Sequence, residues 1–254
     1  MQKNTIIVIA LVAVIAAVVL VYVGFFRGVP EPEPVASPEP PPAPPQVEEP
    51  PPPPALELPP LDASDGFVRL LVTGLSTDPQ LEKVIAAHRL IHTLVAVVDN
   101  IASGEDPRRL LEFLEPDRKF RVLKHGDTTV INPASYKRYD WAAAVFASLD
   151  TDGTAKLLHD LEPLLDEAYQ ELGYPSAKFM GALNAAIDRL AATPIPDGDP
   201  VVRLGVLTYR FADPTFEALS PAEKHLLRMG PANARTIQAK LKELKAALEQ
   251  SATG

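Results

Sequence analysis

The sequence contains no cysteine, and this absence excludes several kinds of chemistry at once. Disulfide bonds, thiolate metal sites and cysteine nucleophiles all require the missing side chain. The sequence also lacks the glycine-rich loop that cradles phosphates and the Gly-x-Ser-x-Gly turn that carries a hydrolase serine. Acid–base catalysis stays open, because carboxylates distant in sequence can meet in a folded protein.

Charged residues are absent from Thr5 to Phe26, "TIIVIALVAVIAAVVLVYVGFF". A helix of this length rises about 1.5 Å per residue and can cross a hydrocarbon core roughly 30 Å thick. We therefore predict a transmembrane anchor at residues 5–26, behind a short cytoplasmic head at residues 1–4. A cleaved signal peptide is the alternative, but its apolar region is usually about 7 to 15 residues long and ends in small residues. Here Phe25, Phe26 and Arg27 follow instead.

Proline dominates the next segment, residues 27–60, with sixteen prolines between Pro30 and Pro60. Proline fixes φ and removes a backbone donor, so the expected conformation is a disordered or polyproline II stalk. Fully extended, the stalk would span up to roughly 90 Å. A Pro-x-x-Pro ligand for an aromatic groove is the alternative use of this composition.

The charges around the anchor indicate its orientation only weakly. Lys3 and the free amine precede the anchor, and Arg27 follows it. Because positive residues near a membrane tend to stay cytoplasmic and acidic ones count for little, the amino terminus is expected inside. The hypothesis is a single-pass protein of the bacterial inner membrane whose carboxy-terminal domain lies in the periplasm.

Residues 61–254 are predicted to form a mostly α, multi-helix globular domain with a small β-hairpin element. The hairpin is expected around Gly126, and a further short strand within Val201–Phe211 could pair with it. The segments expected to be helical are 64–75, 78–104 (continuous or broken near His88), the start at Asp106-Pro107, 133–149, 152–173 (kinked or divided at Pro163), 176–192, 220–229 and 232–250.

Two candidate metal patterns are weak. His88 and His92 stand four residues apart on a predicted helix, so both are expected on one helix face; Arg89 follows His88, however, no third ligand is identifiable, and the zinc-peptidase pattern is not met. The stretch "DTDG" at Asp150 begins like a calcium loop, yet Leu161 occupies the twelfth position, where such a loop needs glutamate. Helix capping by Asp150 or Asp152 explains these residues more simply. Neither a metal nor a cofactor is predicted.

The stretch "SYKRYDW" is a candidate interaction surface. The residues proposed for it are Tyr136, Arg138, Tyr139 and Asp140. Aromatic and arginine clusters often anchor interfaces, and three- and four-residue spacing would place both tyrosines and the aspartate on one helix face. The alternative is that Tyr139 and Trp141 line the core with satisfied polar ends.

The carboxy-terminal unit combines strong helix signals with a basic surface. Ser220 and Glu223 match a capping box, and Gly230 and Pro231 suit the end of one helix and the start of the next. Arg228 and Arg235 join the candidate interaction surface. A helix-turn-helix with basic residues suggests DNA, but the net charge of −9 and the predicted export oppose it, so nucleic acid is not expected. A solvated basic face without a partner is the alternative.

Several stretches together resemble an uncharacterised, mainly proteobacterial family classed as a domain of unknown function. These stretches are "LPPLDASD" (58–65), "PASYKRYD" (133–140), "LEPLLDEAYQELGYP" (161–175) and "YRFADPTFEALSPAEKHLLRMGPAN" (209–233). The resemblance implies a membrane-anchored helical domain without an assigned activity, and it supplies no catalytic, cofactor-binding or metal-binding residue.

The sequence therefore favours a membrane-anchored periplasmic scaffold or adaptor of the bacterial cell envelope. Its expected partners are the lipid bilayer, through residues 5–26, and an envelope protein or an anionic cell-wall polymer. An envelope enzyme with an unrecognised site acting on cell-wall material is the alternative.

Overall fold

The computed structural model describes residues 56–116, 119–206 and 208–251 of the chain. The predicted head (1–4), the predicted anchor (5–26) and most of the predicted stalk (27–60) lie outside these residues. The end of the predicted stalk, residues 56–60, is described and contains neither helix nor strand. Among the helices of the described ranges, none is both long and apolar enough to cross a bilayer.

The described part of the chain is mostly helical, as the sequence predicted. Its α-helices, in chain order, are α1 (Asp65–Thr73), α2 (Leu81–Ile85), α3 (Leu90–Ser103), α4 (Pro133–Tyr136), α5 (Asp140–Ser148), α6 (Thr151–Asp160), α7 (Glu162–Glu171), α8 (Phe179–Ala192), α9 (Pro214–Glu217), α10 (Pro221–Arg228) and α11 (Pro231–Ser251). Short 3-10 helices lie at Leu61–Ala63 and Pro107–Leu114.

The strands form two antiparallel hairpins, β1 (Val122–His125) with β2 (Thr128–Ile131) and β3 (Val202–Leu204) with β4 (Tyr209–Phe211). The predicted turn at Gly126 is confirmed, and its φ of 59° suits glycine. The second strand region forms a hairpin of its own. It meets the first hairpin through one isolated antiparallel bridge between Val130 and Val201.

The main core lies among α3, α7, α8 and α11. Helix α3 buries Ile91, Val95 and Val98, whose spacing places them on one face. Helix α11 contributes a second stripe, which includes Leu244 and Leu248. Each fully buried aliphatic side chain of this kind stabilises the fold by roughly 1.5–3 kcal/mol relative to exposure.

A second cluster packs the hairpins against α4 and α10. Its buried members are Ile131, Tyr136, Val202, Phe211 and Leu227. A small third cluster joins α2 to α5, with Trp141 of α5 among the half-buried residues packed against it. These two clusters hold the elements that form the candidate site.

The helical segment predicted from residue 78 to 104 could be continuous or broken near His88, and the structure shows the break. Asp65 causes the break, because its carboxylate accepts hydrogen bonds from the backbone of Arg89 (2.7 Å) and Leu90 (2.8 Å) and thereby starts α3. Arg89 adopts a φ of 54°, which is costly for a side-chain-bearing residue. The hypothesis that His88 and His92 share one helix face is therefore wrong.

Other predicted helix ends are confirmed with local changes. Asp106 caps the segment after it, since its carboxylate accepts a hydrogen bond from the Arg108 backbone, but that segment is a 3-10 helix. The segment from residue 152 to 173 divides at Leu161, and Pro163 lies in the first turn of α7. Asp150 caps α6 through the Gly153 backbone, as the capping interpretation of "DTDG" required.

The carboxy-terminal corner has the predicted design. Ser220 and Glu223 form a complete capping box at the start of α10. Gly230 follows with a φ of 97°, and Pro231 begins α11. The two helices are therefore separated by Met229 and Gly230, and the left-handed glycine ends the first of them.

Candidate functional site

The corner between α10 and α11 packs directly against the corner between α4 and α5. A Cβ atom placed on Gly230 would come within 2.5 Å of the Tyr136 ring, so only glycine permits this approach. The side-chain amide of Asn233 donates to the Tyr136 carbonyl (3.2 Å) and to the Asp140 carboxylate (2.9 Å). These contacts hold together two corners that are far apart in the sequence.

This contact corrects the predicted continuous helix over residues 133–149. Helix α4 ends at Tyr136 and α5 begins at Asp140. The Tyr136 carbonyl accepts from the backbone of Tyr139 at 2.9 Å and from Asn233, in place of the four-residue bond of a continuing helix. Tyr136, Tyr139 and Asp140 consequently do not share a helix face.

Tyr136 is buried in the second cluster and contributes packing rather than exposed surface. Burial raises the pKa of its hydroxyl, and the charge of nearby Asp199 adds to the rise. The hydroxyl nevertheless makes no hydrogen bond of normal length within the described residues. Of the other residues predicted with it, Asp140 is exposed and Tyr139 is half-buried.

Arg138 and Tyr139 lie close to His225 and Asp106. The Arg138 guanidinium carbon stands 5.1 Å from the centre of the Tyr139 ring. The Tyr139 ring also meets His225 of α10 edge-on, with 6.0 Å between ring centres. The imidazole of His225 is also 3.8 Å from the Asp106 carboxylate.

Burial lowers the pKa of His225 to about 4, so its imidazole is neutral at pH 7. The Asp106 carboxylate opposes this shift, while the positive charges of Arg108, Arg228 and Arg138 reinforce it. A half-buried neutral histidine that is influenced by the charges of three arginines is therefore a structural feature of this region.

The two carboxy-terminal arginines have separate surroundings. Arg228 lies over the Phe211 ring at 5.5 Å and donates to the Tyr209 carbonyl at 3.3 Å. Arg235 donates instead to the Pro196 carbonyl at 3.3 Å. Of these two arginines, only Arg228 acts with Arg138 on the charge state of His225.

An open cleft of about 970 Å³ adjoins Arg138. One wall is α2 and the break that follows it, with Lys83 and His88. The second wall is the end of the 3-10 helix Pro107–Leu114 and the residues after it, with Phe113 and Glu115. The third wall is the corner between α4 and α5, which contributes Lys137, Arg138 and Trp141. We call this the Trp141 cleft.

The walls of the Trp141 cleft are ends of helical elements held by long-range or local caps. Asp65 fixes the break before α3, Asp106 caps the 3-10 helix and Asn233 fixes the corner before α5. Each cap satisfies backbone groups at a helix end, so contacts within the protein itself hold the three walls.

The Trp141 cleft has an aromatic and positively charged lining, although the chain as a whole is acidic. The Lys83 ammonium nitrogen stands 5.4 Å from the centre of the Trp141 ring. Lys83 and Lys137 are both exposed, and within the described residues neither is paired with a carboxylate. Phe113 is 47% exposed at the rim. Unpaired cations beside large aromatic rings suit a ligand that carries negative charge.

The two histidines considered as metal ligands, His88 and His92, have separate surroundings. His92 contacts the Glu171 carboxylate at 3.0 Å, whereas His88 lines the Trp141 cleft. In the described residues, no group of three or more histidine or acidic side chains is arranged to hold a metal ion.

The family model described as "protein of unknown function (DUF3014)" matches residues 90–245, which is more than half of the chain. The chain belongs to this family, which confirms the predicted resemblance to a domain of unknown function. The match includes Trp141 and the two packed corners but begins after Lys83. No curated protein and no solved structure matches the sequence.

Sequence patterns alone missed the contribution of Lys83 and Phe113 to the candidate site. Both lie in segments that looked like ordinary amphipathic helix. The available signal was the single tryptophan beside Lys137 and Arg138, which marked one wall of the cleft. The opposite walls come from segments that only the tertiary fold brings close.

Proposed function

We propose that this protein is a membrane-anchored adaptor of the bacterial cell envelope, and that its Trp141 cleft binds an extended, carboxylate-rich partner. The observation that carries the proposal is the position of the Lys83 ammonium over the half-buried Trp141 ring, with Lys137 lining the same cleft and neither lysine paired with a carboxylate among the described residues. Aromatic rings supply contact area at low entropic cost, and unpaired positive charges select acidic ligands.

The amino-terminal sequence supports the membrane part of the proposal. The uncharged residues 5–26 would anchor the chain in the inner membrane, and the stalk of residues 27–60 would hold the domain in the periplasm. An anchored binding domain meets its partner at a high effective concentration near the membrane. A modest affinity in the cleft would then suffice for a scaffold.

The chemistry of the cleft allows two sources for the partner, an acidic segment of an envelope protein or an anionic cell-wall polymer. Both present carboxylates on an extended chain, and both can lie along an open cleft. Among the described residues that line the cleft, Glu115 is acidic, and Lys83, Lys137 and Arg138 are basic. This balance favours binding of an anion along the wall that carries Trp141.

Site-specific photo-crosslinking in cells tests the proposal with the full-length chain. A photoreactive amino acid at Phe113 reports on the cleft, and the same group at the exposed Gln170 of α7 is the control. We expect a discrete adduct at Phe113 that weakens strongly when Lys83 and Lys137 are both replaced by glutamate. Digestion of the adduct with a muramidase or a protease distinguishes the polymer from the protein.

Equal crosslinking at the two positions would contradict the proposal. So would a Phe113 adduct that is insensitive to the double charge reversal in a chain whose helical circular dichroism is unchanged. In either case the cleft would not be the partner-binding surface.

A further inference from the structure

The tip of the β3–β4 hairpin exposes large apolar side chains to solvent. Leu204 is 75% exposed and Val206 is 96% exposed. The base of the same hairpin is anchored in the second core cluster by Val202 and Phe211, which pair across the strands. The hairpin therefore has a fixed base and an apolar end, and folding of the described residues does not bury that end.

Two arginines lie directly opposite each other just below this tip. Arg203 and Arg210 are partners in the β3–β4 register, and both are exposed. Like charges directly opposite across strands are destabilising unless an anion lies between them. Within the described residues, no carboxylate is paired with either guanidinium. The Arg210 side chain lies over the turn, 3.4 Å from the position that a Cβ atom on Gly205 would occupy.

The turn of the β1–β2 hairpin lies toward the same end of the structure. The antiparallel bridge between Val130 and Val201 makes β2 and β3 run in opposite directions. Strand β2 begins just after its turn and β3 ends just before its own, so both turns are at one end. The first hairpin adds the exposed cation Lys124 near that end, together with the exposed acid Asp127.

We propose that this end of the two hairpins docks on an anionic phospholipid surface. Leu204 and Val206 would enter the interface between headgroups and acyl chains, and Arg203 and Arg210 would contact lipid phosphates. Apolar residues flanked by arginine match the layered chemistry of a bilayer surface, with phosphate outside and hydrocarbon within. The net charge of −9 repels the chain as a whole from anionic lipid, so the apolar and basic residues of this end must outweigh that repulsion for docking to occur.

Docking of the folded domain is distinct from anchoring through residues 5–26 and independent of ligand binding in the Trp141 cleft. It concerns the shared end of the two hairpins, which contains no residue lining that cleft. The lipid-docking proposal therefore stands even if the cleft binds no ligand, and it is tested by separate experiments.

The absence of native cysteine allows a direct test with the full-length chain. Val206→Cys is labelled with an environment-sensitive fluorophore, and Gln170→Cys on the exposed face of α7 is the matched control position. The protein is combined with vesicles of phosphatidylcholine, with or without phosphatidylglycerol, that carry an acyl-chain nitroxide quencher. We expect strong quenching at Val206 and little at Gln170 when phosphatidylglycerol is present.

Replacing Arg203 and Arg210 by glutamine should lower the docked-to-undocked ratio by on the order of tenfold. The matched charge control replaces the exposed Arg109 and Lys242 by glutamine and should leave quenching unchanged. Quenching at Val206 no greater than at Gln170 would overturn the proposal and leave a protein surface as the occupant of the hairpin. Equal quenching in uncharged vesicles, or after the arginine replacements, would also overturn it.

Discussion

Gly230 lies against the face of Tyr136 so closely that a Cβ atom on the glycine would come within 2.5 Å of the ring carbon Cγ and 2.6 Å of the tyrosine Cβ. The same glycine has a φ of 97°, which it needs in order to end α10 and start α11. One residue thus meets two requirements, a left-handed turn and a close approach between segments nearly a hundred positions apart in the chain. The wall of the Trp141 cleft formed by α4 and α5 depends on this contact.

Gly230→Ala should destabilise the protein by at least about 2 kcal/mol, because left-handed backbone strain adds to a clash with the Tyr136 ring. Urea unfolding of the full-length chain measures the change. Gly181→Ala is the matched control. Gly181 lies on an exposed part of α8 with open space around its Cβ position, so alanine there should be neutral or stabilise by up to about 1 kcal/mol. Similar effects of the two replacements would contradict the role of the contact.

Tyr136 should behave as a core residue whose hydroxyl contributes little. Tyr136→Phe removes a buried hydroxyl that has no hydrogen bond of normal length in the described residues, so stability should change by less than about 1 kcal/mol or increase. Tyr136→Ala should cost about 3–5 kcal/mol through the cavity it leaves. Thermal and urea unfolding provide the comparison. A large loss in the phenylalanine variant would show that the hydroxyl has a partner essential to the fold.

His225 should make the folded state sensitive to acid. Its folded pKa of about 4 lies below the ordinary value of 6.5, so between these values the unfolded chain binds more protons. The stability associated with His225 is therefore present above pH 6.5 and is lost as the pH falls toward 4. The loss between pH 7.5 and 4.5 should be roughly 2 kcal/mol.

His225→Gln should remove this component of the pH dependence, as measured by urea unfolding across that range. The matched control is His125→Gln, which replaces an exposed histidine in the first hairpin. If the wild-type and His225→Gln proteins lose the same stability on acidification, the acid sensitivity arises elsewhere and the account of His225 is wrong.

The predicted membrane orientation places Gln170 outside the cytoplasm and Asn4 inside it. Because the chain lacks native cysteine, Gln170→Cys and Asn4→Cys each provide a single reactive site. A membrane-impermeant maleimide should label Gln170→Cys in intact spheroplasts and label Asn4→Cys only after lysis. The reverse pattern would invert the orientation, and labelling of both sites only after lysis would contradict export of the domain.

Local signals in the sequence predicted those features of the fold that depend on neighbouring residues. The capping box of Ser220 and Glu223, the turn at Gly126 and the left-handed Gly230 all act within a few positions. Their physical cause is backbone geometry, which is fixed by the residues themselves. The three-dimensional structure therefore confirms these predictions.

Features that depend on distant residues were not predictable from local patterns. Asp65 ends the helical segment before α3 from 24 residues away, and Asn233 stabilises the division between α4 and α5 from 97 residues away. Apolar spacing across residues 133–149 resembles that of one helix, because the spacing contains no information about the distant partner Asn233. The candidate site was predicted in part, through Arg138, whereas Lys83 reaches Trp141 only once α2 packs against α5.

Titration of Trp141 fluorescence tests the central claim most directly, because this residue is the only tryptophan in the chain and lines the proposed binding cleft. An oligoglutamate peptide should produce a saturable change that weakens with salt, and an oligoglutamine peptide of equal length should not. Replacing Lys83 and Lys137 by glutamine should weaken binding roughly three- to tenfold, whereas replacing Arg109 and Lys242 should have little effect. Equal responses to the two peptides, or a glutamate response unaffected by loss of Lys83 and Lys137, would contradict the account.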